Sequence, residues 1–491
     1  MAIAALLLSA VGAWAQVTTA NLSGTVQDSS GAVIPGAAVT LTNDDTGLTY
    51  NAESGSEGEF AFRVLPTGAY TLSIQAPGFT AYRSTGIRLV ASANVRQAHA
   101  LEIGQVTETV EVEGAAPLVA TEASEQTESI DNAKVSELPL GRRNVTNVLK
   151  LTSGIDTGNG GIRINGLGKS GAGVTVNGTD ANSMPAEGRA LQNYGGANYM
   201  DVMSIEGVEE VQVMRGVMKA ENGGVVSGTV NLISKRGTNE WHGSGVWNYR
   251  SHVFNARNPF QTNYDSSGNL LPKNREVFNQ FGGSLGGPII KNRLFFFTTY
   301  EGYRGYTSRF VTGTVPTNSF RQTILQALPF PETKALLDTL PAPATILDAN
   351  RGRAEKVGSE VRTDNTWNIR GDYRPSDNGN LSFTYVRGRP FGLDPRFNVG
   401  DTNDREFIYI QDRYNAQYTH TGSNWVSESR WGYNYADMDR LDNFFGERFI
   451  SPLGETVEWQ GRIPRLNIQT PTGTLGLNSA EVWQMEGATS T

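Results

Sequence analysis

The sequence predicts an all-β-dominated chain: a small β-sandwich, a mixed α/β unit, and the first part of a large transmembrane β-barrel. Three observations predict it. Glycine is very frequent, 56 of 491 residues, while aromatics reach 9% and the apolar class only 38%. Glycine serves tight turns, and Tyr, Phe and Trp fit pleated, half-buried strands. Short alternating runs recur between Pro-Gly and Ser-Gly turns near the N-terminus. The second half alternates aromatic with polar residues, and no run reaches the roughly 18 apolar residues of a membrane helix. A bilayer could then be crossed only by a barrel.

Ala2 to Val11 is a short apolar run, and Ala13-Trp14-Ala15 gives the small-x-small pattern of a signal-peptidase site before Gln16. Residues 1–15 are therefore expected to be a signal peptide, with a buried N-terminal strand as the other reading. A positive leading region is missing, which suggests a start a few residues late. Net charge is −8, which argues against nucleic acid as a partner. The sequence contains no cysteine, so disulfides, thiolate metal sites and thiol nucleophiles are excluded together.

Residues 17–103 read as about seven short strands with turns at Asp28-Ser29-Ser30-Gly31, Pro35-Gly36, Pro66-Thr67-Gly68 and Pro77-Gly78. Phe60 and Phe62 share one face, as do Tyr70, Leu72 and Ile74, which makes these the expected core. Gly24-Thr25-Val26-Gln27-Asp28, Ile34-Pro35-Gly36-Ala37, Gly58-Glu59-Phe60, Leu65-Pro66-Thr67-Gly68-Ala69-Tyr70 and Gly78-Phe79 resemble the carboxypeptidase-regulatory-like domain. That resemblance implies a prealbumin-like sandwich with a carbohydrate-binding-like fold, accessory rather than catalytic.

Residues 104–137 change character. Nine acids between Glu102 and Glu137 face one base, Lys134, with few large apolar residues. Such a composition buries too little surface to fold alone and predicts a mobile acidic linker. Within it, Glu108-Thr109-Val110-Glu111-Val112 resembles a TonB box, the segment on which the periplasmic energy transducer TonB pulls. An extended, β-branched, Pro-free segment can add to a partner's sheet edge. The same residues read equally as an ordinary linker strand, and only their position favours the box.

Residues 138–237 carry the most specific pattern. Leu138-Pro139-Leu140-Gly141-Arg142-Arg143-Asn144 leads into a short amphipathic helix with Val145, Val148, Leu149 and Leu151, ending at Gly154. Gly161 to Gly166, Val174 to Asp180, Ile205 to Gly216 and Gly223 to Thr238 follow. In order and spacing they are similar to the plug domain of TonB-dependent receptors, in particular the Oar-like subgroup. Glu210 and Arg215 are expected to make buried polar plug-to-barrel contacts rather than to touch substrate.

Residues 238–491 alternate as barrel strands do. Trp367, Ile369 and Tyr373 take one parity, and Asn368, Arg370, Asp372 and Arg374 the other. Leu381, Phe383 and Tyr385 repeat this, as do Trp425, Trp431, Tyr433 and Tyr435 against Glu428, Arg430 and Asn434. Apolar-out, polar-in alternation is what a lipid-facing, water-lumened barrel requires; soluble sandwich strands alternate too. Asn279 to Lys291 and Arg293 to Phe297 also resemble the first strands of Oar-like barrels. Residues 317–360, with a helical-looking Asn318–Leu328, read as an extracellular insertion. About seven candidate strands fall short of the roughly 22 of this receptor class, so a C-terminally truncated fragment is expected.

Three tempting signals fail. His99-Ala100-Leu101-Glu102 matches a zinc pair, but residues three apart on a strand point to opposite faces, and no second ligand motif exists. Gly166-x-Gly168-x-x-Gly171 is followed by strand and turn, not by a helix that could receive a pyrophosphate. Lys169-Ser170 lacks the upstream glycine of a P-loop. The sequence therefore implies no metal, cofactor or catalytic group, and no enzyme.

The family resemblance implies active uptake at the cell outer membrane, with the sandwich and linker periplasmic. Its partners would be TonB, outer-membrane lipid, and a small or oligomeric ligand. The candidate ligand-facing residues are Arg189, Gln192, Asn193, Tyr194, Asn198 and Tyr199, in a Gly- and Asn-rich loop whose aromatic faces and amides suit an oligosaccharide or a peptide. That loop reads equally as plain solvated chain. The alternative function is an outer-membrane adhesin or structural protein that binds carbohydrate or protein through the sandwich. A third, a secreted hydrolase, lacks a site.

Overall fold

The computed structural model describes residues 18–104, 109–113, 125–132, 134, 143–156, 163–167, 172–181, 203–216, 225, 227–256, 264, 268–270, 273–338, 340–395, 405–422 and 425–441, with short strands up to residue 490. The signal-peptide expectation at 1–15, Glu108 of the box-like segment and the whole loop from Arg189 to Tyr199 lie outside these residues.

The N-terminal unit packs two sheets face to face. β1 (Ala20–Asp28), β4 (Glu59–Leu65) and β7 (Asn94–Leu101) form one, in the order β4-β1-β7. β2 (Ala38–Asn43), β3 (Thr49–Glu53), β5 (Gly68–Gln75), β6 (Ala81–Leu89) and β8 (Thr109–Glu113) form the other, in the order β3-β2-β5-β6-β8. Alternate residues of each strand turn inward, as the period of two dictates. Phe60, Phe62, Tyr70, Leu72 and Ile74 all lie in this core with Leu22, Leu41, Leu65 and Ile87. The Tyr70 hydroxyl is not stranded there: it donates to the Pro66 carbonyl at 2.7 Å.

The acidic linker departs from expectation. β8 runs parallel to β6, from Ala81 opposite Thr109 to Thr85 opposite Glu113. β9 (Glu125–Asp131) joins the edge of the next sheet. These two segments are ordered because neighbouring sheets offer unpaired edges. Main-chain hydrogen bonds to such an edge order a segment that has no core of its own.

That next sheet has the order β13-β12-β15-β14-β9. It contains β12 (Ala172–Val176), β13 (Thr179–Asp180), β14 (Val208–Gly216) and β15 (Gly228–Ser234), while β10 (Ile155–Asp156) and β11 (Arg163–Ile164) pair apart. Helix α1 (Val145–Leu149) is capped by the Asn144 side chain, which accepts from Asn147 N. It buries Val145, Val148 and Leu149 but stops before Leu151, which is exposed. Gly228, with φ +153°, could not carry a side chain: a Cβ there would sit 2.6 Å from the Met214 carbonyl oxygen.

The barrel part is a ten-stranded antiparallel sheet. Its main path runs through β16 (His242–Ser251), β17 (Glu276–Ile290), β18 (Leu294–Pro316), β20 (Arg351–Ser376), β21 (Gly379–Gly388), β23 (Arg405–Thr421), β24 (Val426–Leu441) and a final strand, Trp483–Ser490. Two short strands, β19 (Thr345–Ile346) and β22 (Phe391–Asp394), pair beside this path. Trp367, Ile369, Phe383, Trp431 and Tyr433 are exposed on the outer face, whereas Asn368, Arg370, Thr384 and Asn434 are buried on the inner one. This inverts a soluble protein and matches a lipid-facing wall. β18 and β20 have 23 and 26 residues, more than twice the roughly 9–11 needed to cross hydrocarbon. Their far end carries α2 (Asn318–Ala327), capped by Thr317, and α3 (Pro331–Asp338). The helical insertion is therefore shorter than expected from 317–360, since pairing in β20 resumes at Arg351.

Candidate functional site

The inner face of the barrel is polar because the plug sheet fills it. Arg370 donates from one terminal nitrogen to the Ser234 carbonyl and to Ser234 Oγ, each at 2.8 Å. Arg413 donates to the Ala181 carbonyl at 2.9 Å. Asn177, in a tight turn at φ +49°, donates to Thr384 Oγ1 at 3.0 Å and to Ser234 Oγ at 2.9 Å. Asn415 donates to Thr179 Oγ1 at 2.8 Å. Ser204 Oγ donates to Glu301 at 2.6 Å, and Gln280 bridges Glu301 to the Arg143 backbone. The bonds to Ser234 from Arg370, to Ala181 from Arg413, from Asn177 to Thr384, from Asn415 to Thr179, from Ser204 to Glu301 and between Gln280 and Arg143 join plug to barrel across long sequence separations.

Two close approaches complete the fit. A Cβ at Gly207 would lie 2.7 Å from Asn368 Nδ2, and one at Gly432 would lie 2.9 Å from Thr179 Cβ. The hydrophobic core of the plug also reaches the wall: Val386 belongs to the same buried cluster as Val174, Val176 and Val230.

Glu210 and Arg215 sit in the plug, but their partners correct the expectation of plug-to-barrel contacts. Glu210 is buried; it accepts from Ser129 Oγ at 2.6 Å and from the Ala91 backbone N–H at 3.2 Å. Desolvation raises its pKa above the usual carboxylate range. Arg215 pairs with Glu128 at 3.1 Å and donates to the Ser153 carbonyl. These contacts therefore hold the linker strand β9 and the sandwich onto the plug. The register sets Glu210 opposite Asp131 and Arg215 opposite Gln126, which brings Ser129 and Glu128 of β9 within reach on the diagonal.

The sandwich sits at the barrel end that carries the short turns. Asn239 N donates to the Asp45 carbonyl at 3.0 Å, and its side chain donates to the Thr46 carbonyl and to Asn292 Oδ1. The Arg374 guanidinium lies 5.9 Å from the centroid of the Tyr50 ring. Gln212 Nε2 donates to the Ala91 carbonyl at 2.5 Å. Sequence reasoning missed Asp45, Tyr50, Ala91 and Asn239 altogether, and had placed Arg370 only by parity.

Among the described residues of the box-like segment, Thr109 to Val112 lie in β8, the edge strand of the sandwich sheet, with Glu111 exposed. His99 is buried between the rings of Phe60 and Tyr82, at 5.8 and 5.3 Å, whereas Glu102 is exposed. Among the described residues no group of three His, Asp or Glu could hold a metal.

Residues 21–102 match the family described as carboxypeptidase regulatory-like domain, and residues 120–230 match the TonB-dependent receptor plug domain. Residues 233–490, more than half of the chain, match the outer membrane beta barrel domain. The chain belongs to the TonB-dependent outer-membrane receptors. Among members of this receptor family, the TonB-dependent transporter Oar of Myxococcus xanthus is 27% identical over 310 residues, which are 61% of this chain and 28% of that protein. The chain thus spans well under half the length of that curated relative. Solved receptors also align: a ferric enterobactin receptor variant from Pseudomonas aeruginosa (16% identity, 71% of this chain and 44% of that one, TM-score 0.41) and the outer membrane transporter YddB from Escherichia coli (13%, 65% and 40%, 0.44). The receptor's barrel places it in the outer membrane.

Proposed function

We propose that this receptor takes up a ligand across the outer membrane, and that TonB supplies the work by pulling on the segment around Thr109 to Val112. One observation carries the reading: the plug sheet is fastened inside the barrel by directional polar contacts at Ser234, Asn177, Ala181 and Ser204. Hydrogen bonds of this kind contribute roughly 1 kcal/mol each. A plug held by several of them blocks passage at rest and yields stepwise to a pull.

The division supporting this is 17–103 sandwich, 104–137 linker, 138–237 plug and 238–491 barrel. The ligand reading is an oligosaccharide or a peptide, met by Arg189, Gln192, Asn193, Tyr194, Asn198 and Tyr199. It rests on the chemistry of those side chains alone.

The test is Val110→Pro in the full-length protein, with labelled oligosaccharides and peptides as probes. Proline removes a donor and fixes φ, so the segment could not complete a ladder with TonB. An edge strand tolerates proline, so the fold should survive. Uptake should fall at least tenfold while surface binding persists. Unchanged uptake would sink the assignment of the segment.

A further inference from the structure

A cavity of about 360 Å³ lies where the sandwich, the connector between β15 and β16, and the barrel wall meet. That is within the range of small-molecule sites. Five fixed cations line it, Lys235, Arg236, Arg293, Arg370 and Arg374, against three carboxylates, Asp45, Glu209 and Asp372.

Most of these charges are already engaged. Arg370 and Asp372 neutralise each other through two hydrogen bonds of 2.9 Å. Arg374 lies over Tyr50 and pairs with Asp377 at 3.7 Å. Lys235 donates to Asn132 at 2.9 Å.

Arg236 differs. Its Nε is buried without a hydrogen-bond partner. The carboxylate that acts on it is Asp372, which Arg370 already holds in a two-pronged pair. Burial, and then the neighbouring Arg370 guanidinium, lower its pKa. A guanidinium carries five donors and stays charged, and a buried donor left unpaired beside a carboxylate already shared with Arg370 is costly.

We propose that this cavity is a binding site for a small oxyanion, a carboxylate or phosphate group, held by the guanidinium of Arg236. Arginine's planar fork matches both groups bidentately. The wall is shared by the sandwich (Asp45, Tyr50), the connector (Arg236) and the barrel (Arg370, Arg374). An anion bound there joins all three, so its binding stabilises the docked sandwich by linkage.

The experiment is calorimetric titration of the full-length protein in neutral detergent with citrate, and separately with inorganic phosphate, at constant ionic strength. Saturable binding of at least one anion is expected. Arg236→Gln should weaken it at least tenfold. Ser382→Asp, which adds a carboxylate to the cavity wall and leaves Arg236 in place, should weaken it likewise, and it decides the matter if the Arg236 variant does not fold. Phosphatidylglycerol added to the micelles competes with citrate if the native anion is a lipid headgroup, and does not if it is a free solute. Heats no different from those of chloride, or undiminished binding by both variants, would overturn the proposal.

Discussion

Arg370 on the inner face of β20 donates twice to Ser234, the last residue of the plug sheet, while its other nitrogens hold Asp372. One barrel side chain thus ties the plug to the wall and neutralises a carboxylate near the rim.

Arg370→Met should therefore remove both hydrogen bonds to Ser234 and both to the Asp372 carboxylate. Breaking a buried pair from one side costs about 3 kcal/mol. A lower thermal midpoint in detergent and increased vancomycin entry into cells are expected. An unchanged midpoint together with an intact barrier would show that the anchor is dispensable.

Gly237→Ala tests the seat of the connector on the barrel. Its Cβ would lie 2.3 Å from the Phe296 carbonyl oxygen and 2.9 Å from Phe296 N, both rigid backbone atoms. Overpacking of this kind costs about 1–3 kcal/mol. Gly245→Ala, where a Cβ meets nothing within 4 Å, is the control. Equal melting temperatures for the two variants would contradict the geometry.

His99 makes the sandwich acid-sensitive. Burial lowers its pKa from 6.5 to about 4, so the folded domain keeps it neutral while the unfolded chain takes up a proton. The associated stability is fully present above pH 6.5 and is lost as pH falls towards 4. The shift corresponds to about 3 kcal/mol. Residues 17–103 alone should fold without metal, and urea unfolding at pH 7 and 4.5 should show the loss in the native domain but a smaller one in His99→Phe. Identical pH slopes would refute it.

Glu210 has the opposite sign. Its pKa is raised by burial, so its contribution is fully present below the ordinary carboxylate pKa and is lost as pH rises through the folded value. Glu210→Gln keeps the shape without the charge and should resist alkaline loosening of the sandwich from the plug. Glu210→Ala should cost about 1–3 kcal/mol, because Ser129 Oγ and Ala91 N lose their acceptor. Hydrogen exchange at Ala91 would report both effects, and equal protection in all three proteins at every pH would discard the argument.

The sequence by itself determined which way the strands face. Trp367 and Ile369 against Asn368 and Arg370 is a period of two within one strand, and it needs no knowledge of distant residues. The sandwich core at Phe60, Phe62 and Tyr70 was legible for the same reason, and the helix at Asn318–Ala327 from its own local pattern. Only the tertiary structure decided that Thr109–Glu113 and Glu125–Asp131 become strands. It alone showed that Glu210 and Arg215 serve the linker and sandwich, and that Asp45 and Tyr50 meet the barrel's short turns. These depend on which sheet edge or turn comes within hydrogen-bonding reach. Backbone donors and acceptors are the same in every residue but proline, so they leave no trace in composition.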